Sequence, residues 1–252
     1  KARNTAWPGE WPPVTTLDEG GILNSGVNEG EACSNRKGSV YYFSKCPQDK
    51  KKVQGCYIYK SMKKGKSWGE PELVYLGDSA YNYVHPYISG DELTIYFASN
   101  MPGGHGGYDI YMATRTKKSG KFGNITNLGT NVNTKGQEVF PILRNENELY
   151  FSSDGWPGLG GLDIFVSRIK DGQYQPAENL MVPINSSYDE IGIIFDENEA
   201  IDPKSKSPYL AKGFFSSNRP GGRGGDDIYY FLLPPLVSTL FAYIPVTNKR
   251  QS

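Results

Sequence analysis

Asn100-Met101-Pro102-Gly103-Gly104-His105-Gly106-Gly107-Tyr108-Asp109-Ile110-Tyr111 is the first of three copies of one pattern. The second runs Asp154-Gly155-Trp156-Pro157-Gly158-Leu159-Gly160-Gly161-Leu162-Asp163-Ile164-Phe165. The third runs Asn218-Arg219-Pro220-Gly221-Gly222-Arg223-Gly224-Gly225-Asp226-Asp227-Ile228-Tyr229. Each copy follows an aromatic run that ends in Ser: Tyr96-Phe97-Ala98-Ser99, Tyr150-Phe151-Ser152-Ser153 and Phe214-Phe215-Ser216-Ser217. Aromatics favour the pleated surface of a sheet, and glycine pairs supply tight turns, so each copy reads as strand, glycine loop, strand. Recurrence at Asp109, Asp163 and Asp227 marks a repeat architecture.

Outward from the hairpin, each unit gains a first and a fourth strand. Polar-acidic starts at Asn28-Glu29, Gln137-Glu138 and Asp189-Glu190 open the first; Asn82-Tyr83 stands there in the second unit. Gly-x-aromatic followed by Leu marks the fourth, as in Gly120/Phe122/Leu128 and Gly172/Tyr174/Leu180. Strands such as Leu93-Thr94-Ile95-Tyr96-Phe97 are apolar on both faces, as in sheets packed between neighbours. The prediction is an all-β protein, a β-propeller of four-stranded antiparallel blades, with four repeats over residues 1–235. An outer strand at Trp11–Leu17 precedes the first repeat and permits two readings. It completes the last blade of a four-bladed ring, or it is the remnant of an upstream blade in a ring of five or more. The likeness of Ala2-Arg3 to Thr114-Arg115 favours the second. Glu197–Pro208 reads as a solvated insertion.

Composition excludes several classes. Lys and Arg number 27 and Asp and Glu 27, spread along the chain, which leaves no basic footprint for nucleic acid. The chain starts without Met or a signal peptide, as an excised or processed piece would. The uncharged run from Ile228 to Asn248 is of membrane-spanning length, but Pro234-Pro235 breaks it. The first unit departs from the others: its hairpin loop lacks the glycine pairs and the Asp, and has Cys46 and Cys56 at its mouth. A disulfide there would replace the lost turn chemistry and place the protein outside the cytosol. Two buried free thiols are the alternative, and Cys33 reads as a lone buried thiol.

The pattern Ser-Asn-x-Pro-Gly-Gly-x-Gly-Gly-x-Asp-Ile-Tyr resembles the PD40 (WD40-like) repeat, related to the propeller of TolB. The order of blades is similar to the propeller of OmpA-family outer-membrane-associated proteins of Bacteroidetes: a Cys…Cys hairpin, then glycine hairpins, then Asp227-Ile228-Tyr229-Tyr230-Phe231-Leu232-Leu233-Pro234-Pro235. That group includes the peptidoglycan-anchored lipoprotein of the type IX secretion machinery. The resemblance covers about residues 9–235. It implies a periplasmic, outer-membrane-associated propeller without enzyme activity, which docks proteins of the cell envelope. Residues 236–252 would then be a linker or the first strand of a carboxypeptidase-regulatory-like β-domain. Peptidoglycan would be bound only by a further domain outside this sequence.

The candidate chemistry is sparse. Asp109, Asp163 and Asp227 are expected to accept loop N–H groups, in preference to binding calcium. Glu29, Glu138 and Glu190 are expected to ring one mouth of the central channel, where paired carboxylates could cleave glycosides, although their recurrence favours blade-to-blade bonding. His85 and His105 have no zinc-ligand partners, and His85 reads as a satisfied polar residue near the channel. No catalytic residue, metal site or cofactor is assigned. Partner contact is expected at the glycine-loop tips His105, Trp156, Leu159, Arg219 and Arg223, an aromatic and arginine composition suited to interfaces. The alternative class is a carbohydrate- or small-ligand-binding propeller, or a glycoside hydrolase.

Overall fold

The computed structural model describes residues 17–18, 20–23, 25, 28–46, 55–196 and 211–233. Alternating aromatic and β-branched residues between glycine turns form seventeen strands here, and no helix occurs among the described residues. The first sheet contains β1 (Asn28–Ser34), β2 (Val40–Cys46) and β3 (Tyr57–Lys64), with two short outer pieces on β3, β4 (Ser67–Trp68) and β5 (Glu72–Leu73). The second is β6 (Tyr83–Ile88), β7 (Thr94–Ser99), β8 (Asp109–Thr114) and β9 (Gly123–Asn127). The third is β10 (Glu138–Arg144), β11 (Glu148–Ser153) and β12 (Asp163–Lys170), with β13 (Gln173–Tyr174) and β14 (Glu178–Asn179) on its outer edge. The fourth has β15 (Glu190–Phe195), β16 (Ala211–Ser217) and β17 (Asp227–Leu233). Every pairing is antiparallel, in chain order from the inside outward.

The fold is a four-bladed β-propeller. The innermost strand of each later sheet lies across all three principal strands of the sheet before it: β6 on β1 to β3, β10 on β6 to β8, β15 on β10 to β12. Hydrophobic burial between sheets follows from strands apolar on both faces. Tyr42, Ile58 and Leu76 meet Tyr83, Ile95 and Phe97 between the first two sheets. Tyr96, Ile110 and Leu128 meet Leu149, Phe151 and Phe165 between the next two. Ile164 and Val166 meet Ile193, Phe215 and Phe231 at the last junction. Beyond the first sheet, Leu23 packs on Phe43 and Trp68, and the Trp68 indole donates to Leu17 O at 3.2 Å.

The disulfide between Cys46 and Cys56 is formed, and Cys33 is free. Burial pushes the Cys33 thiol up to about 12. Three expectations lie outside the described residues: the outer strand at Trp11 to Thr16, the insertion over Glu197–Pro208, and residues 236–252. No helix among the described residues is long and apolar enough to cross a membrane.

Candidate functional site: the glycine-loop face and the axial cavity

The glycine loops share one face with the starts of the inner strands, and short polar bonds hold them there. Asp109 is buried and accepts from His105 N–H (2.7 Å), Gly106 N–H (3.0 Å) and Asn127 Nδ2 (2.8 Å). Asp163 accepts from Leu159 N–H and from Asn179 Nδ2 (3.0 Å) with Oδ2, while Oδ1 stays buried without a partner among the described residues. Asp227 accepts from Arg223 N–H (2.8 Å) and Gly224 N–H (3.1 Å). No group of three or more potential metal ligands occurs among the described residues.

The second glycine pair serves close approach in the first two loops, whereas Gly224 and Gly225 of the third have open space. A Cβ on Gly106 would lie 2.5 Å from both Gly136 O and Thr134 O, in the entry to the next sheet. One on Gly160 would strike Tyr188 O in the equivalent place. Gly107 N–H donates to Gly136 O at 2.8 Å, so the loop of one blade is bonded to the entry of the following one.

The repeated glutamates do not ring the channel. Glu138 and Glu190 are wholly buried, at 0% exposure. Thr134 donates to Glu138 through N–H (2.9 Å) and Oγ1 (2.6 Å), and Ser153 Oγ adds a third bond at 2.7 Å. Ser186 and Ser217 hold Glu190 in the same way. Ser25 bonds Glu29, which also pairs with Lys45 at 3.6 Å. Burial raises the Glu138 pKa, and the Thr134 and Ser153 bonds work against that rise. The carboxylates turn into the entry loops because Ser or Thr stands four residues upstream each time: Ser25, Thr134 and Ser186. The four-residue spacing is a sequence signal for this buried bond.

A second unread signal is the Asn five residues before the buried Glu. Asn133 accepts from Ile110 N–H (2.8 Å) and donates to Ile110 O (3.0 Å); Asn185 clamps Ile164 likewise, both bonds at 2.8 Å. Each clamp grips the Asp-Ile-aromatic strand of the preceding blade.

Of the expected loop tips, His105, Leu159 and Arg223 are exposed. Trp156 is not a free tip: its ring is half-buried against the cluster between the second and third sheets, and its Nε1 donates to Val132 O at 2.9 Å. Arg219 is likewise drawn into the fold. Its guanidinium bonds Glu190 Oε1 (2.8 Å), Pro183 O (3.0 Å) and Ile184 O, between the rings of Phe215 and Tyr229.

The other concavity is on the axis. A half-open cavity of about 900 Å³ is lined by the four inner strands together with Phe214, Phe215 and Ser216 of β16 and Ile228 of β17, and it reaches the inner hairpin turns at Arg36, Gly90 and Asn145. His85 faces it, stacked on Phe140 with ring centroids 3.9 Å apart. The expected satisfied histidine is not satisfied, since its Nδ1 is buried without a partner among the described residues. Burial pushes the imidazole pKa down to about 4. Glu31 also lines the cavity; it keeps contact with solvent, yet the surrounding protein raises its carboxyl pKa.

Comparison with known proteins adds architecture. No protein-family model matches the chain, and neither does any curated protein sequence. Among solved structures it is similar to TolB from Acinetobacter baumannii, at 12% identity and TM-score 0.46, over 85% of this chain and 45% of that one. It is also similar to an α-L-arabinofuranosidase from Lactobacillus brevis (12%, TM-score 0.48, 80% of this chain and 70% of that one). An endo-arabinase from Bacteroides thetaiotaomicron matches at 12% and TM-score 0.47, over 82% of this chain and 74% of that one. The chain thus spans less than half of the TolB it matches, and the matches single out no activity.

Proposed function

We propose that this chain is a non-enzymatic docking propeller of the bacterial periplasm, serving an assembly that ties the outer membrane to peptidoglycan, with type IX secretion as the leading setting. One observation carries the reading: the glycine-loop face is held rigid from within. Aspartates bond all three loops, and the next blade's backbone locks the first two, so His105 and Leu159 project from a fixed surface and Arg223 from a loop held by Asp227. A surface ordered before contact avoids the entropy cost of ordering on binding. The Cys46–Cys56 disulfide supports an oxidising compartment. Against glycoside cleavage stands the use of the repeated glutamates, of which Glu138 and Glu190 are enclosed in loop hydrogen bonds.

The test is photo-cross-linking in intact cells. A photoreactive residue at Leu159 or Arg223 is expected to give discrete protein adducts of the envelope, and one at exposed Lys121, beside the outer strand β9, is not. Equal labelling from both places, or none from either, overturns the docking face. Release of sugar from arabinan or a nitrophenyl arabinofuranoside by the purified chain would overturn the non-enzymatic part.

A further inference from the structure

All four inner strands break register at the same place. The slips fall between Gly30 and Ala32, Val84 and Tyr87, Val139 and Ile142, and Ile191 and Ile193. The residue at each slip stands two positions past the strand's first buried or bonded residue: Glu31, His85, Phe140 and Gly192. All four line the axial cavity. A β-bulge re-aims the residue it carries, and here the repeat places one residue of every blade against the cavity.

Backbone requirements explain the bulges but not their side chains. His85 N–H donates to Ser44 Oγ (2.9 Å) and Gly192 N–H to Ser152 Oγ (3.2 Å), each in the preceding sheet. Phe140 adopts the same backbone without that bond, where Ala98 replaces the serine. The φ angles are 53° at His85, 56° at Phe140 and 59° at Gly192, a region that glycine enters freely and other residues at a cost. Gly192 shows that glycine satisfies the bulge. His85 and Phe140 therefore carry strain that the bulge itself does not demand, and strain of this kind gathers at binding sites.

The resulting tier offers a carboxylate, an imidazole, a phenyl ring and a gap. At Gly192 an added Cβ would meet nothing within 4 Å. Burial keeps His85 uncharged at neutral pH, so its ring offers one donor and one acceptor. Among the described residues no hydrogen bond or ion pair to Glu31 offsets the rise that the surrounding protein imposes on its carboxyl. Nearer the mouth stand Arg36, lying across Gly90, then Arg144 and Glu146; with Glu31 these are two acids and two bases. An anion or a cation would each meet like charge, and an apolar ligand would offer no partner to the open edge of the His85 ring or to Glu31. Hydroxyls both donate and accept, and a sugar's C–H face suits the apolar wall made by Pro86, Pro141 and Ile193.

We infer that the axial cavity binds a short neutral saccharide, with hydroxyls on the open edge of the His85 ring and on Glu31 and the sugar ring in the gap over Gly192. None of the loop tips His105, Leu159 and Arg223 lines this cavity, and neither site depends on the other.

The experiment is calorimetric titration at pH 7 with four neutral probes: maltotriose, cellotriose, xylotriose and chitotriose. At least one is expected to bind saturably with one site per chain. Gly192→Phe, which copies the conformation and side chain found at Phe140, is expected to weaken that binding at least tenfold with an unchanged unfolding midpoint. If that variant does not fold, His85→Asn takes its place, because Asn tolerates the left-handed backbone, and the same tenfold loss is expected. Failure of all four probes to bind overturns the inference. So does binding that persists unchanged in a folded variant.

Discussion

Arg219 and Arg223 lie four residues apart in one loop, and the structure gives them opposite standing. Arg219 neutralises the fully buried Glu190 and is bonded on three sides. Arg219→Ala leaves that carboxylate buried without its charge partner, and is expected to cost about 3 kcal/mol of stability in urea denaturation. Arg223 is exposed, so Arg223→Ala is expected to change stability by no more than about 0.5 kcal/mol. A pair of loop-tip arginines thus separates into one that holds the fold and one that faces outward. His85 supplies a pH dependence. Its folded pKa, about 4, lies below its ordinary 6.5, so its contribution is present above pH 6.5 and lost as pH falls towards 4. The loss is roughly 2–3 kcal/mol across that interval. Glu31, in the same cavity, runs the other way: its raised carboxyl stabilises at low pH and loses that contribution as pH rises. Urea midpoints between pH 7 and pH 4 are expected to fall more steeply in the native chain than in His85→Asn, in which the Glu31 contribution remains.

At the scale of elements, the glycine loops show what could be read from sequence and what could not. Strand, loop and strand were legible because aromatic runs and Asp-Ile-aromatic triplets recur in register. Glycine was read as freedom of φ, and that holds at Gly103 and Gly221, with φ of 91° and 104°. At Gly106 and Gly160 the reason is a neighbouring blade's carbonyl, a contact between segments that no local pattern reveals. Gly106→Ala is therefore expected to destabilise the protein by about 2 kcal/mol, although its backbone conformation suits alanine. The direction of Trp156 was illegible for the same reason: composition places a ring in a loop, but only the packed third sheet turns it inward. The first hairpin solves its loop differently. Cys46 and Cys56, ten residues apart, close it covalently, and reduction is expected to lower stability by about 2–3 kcal/mol on the loop-entropy estimate. Intact mass after alkylation of the denatured chain should show one labelled thiol without reductant and three with it.

For the whole molecule, the repeat made four blades legible, and the structure adds that they are unequal. Ile110 and Ile164 are fully buried, with main chains clamped by Asn133 and Asn185. Ile228, at the same place in the fourth blade, is 71% exposed and has no such clamp among the described residues. The Ile228 amide is therefore expected to exchange with deuterium at least a hundredfold faster than those of Ile110 and Ile164, a difference readable by NMR. Equal protection of all three would show the fourth blade to be as firmly held as its neighbours. The triplet itself could not reveal this inequality, because Asp227-Ile228-Tyr229 repeats Asp109-Ile110-Tyr111 letter for letter and differs from Asp163-Ile164-Phe165 only in its last ring.

The shared bend of the inner strands has a consequence for descent. One residue per blade sits at the bulge beside the lumen, and Glu31, His85 and Gly192 take no part in the clusters between sheets, whereas Phe140 also packs on one. Three of the four codons can be rewritten without touching those clusters, so a lineage built by duplication can change what its pore admits without relearning how to fold.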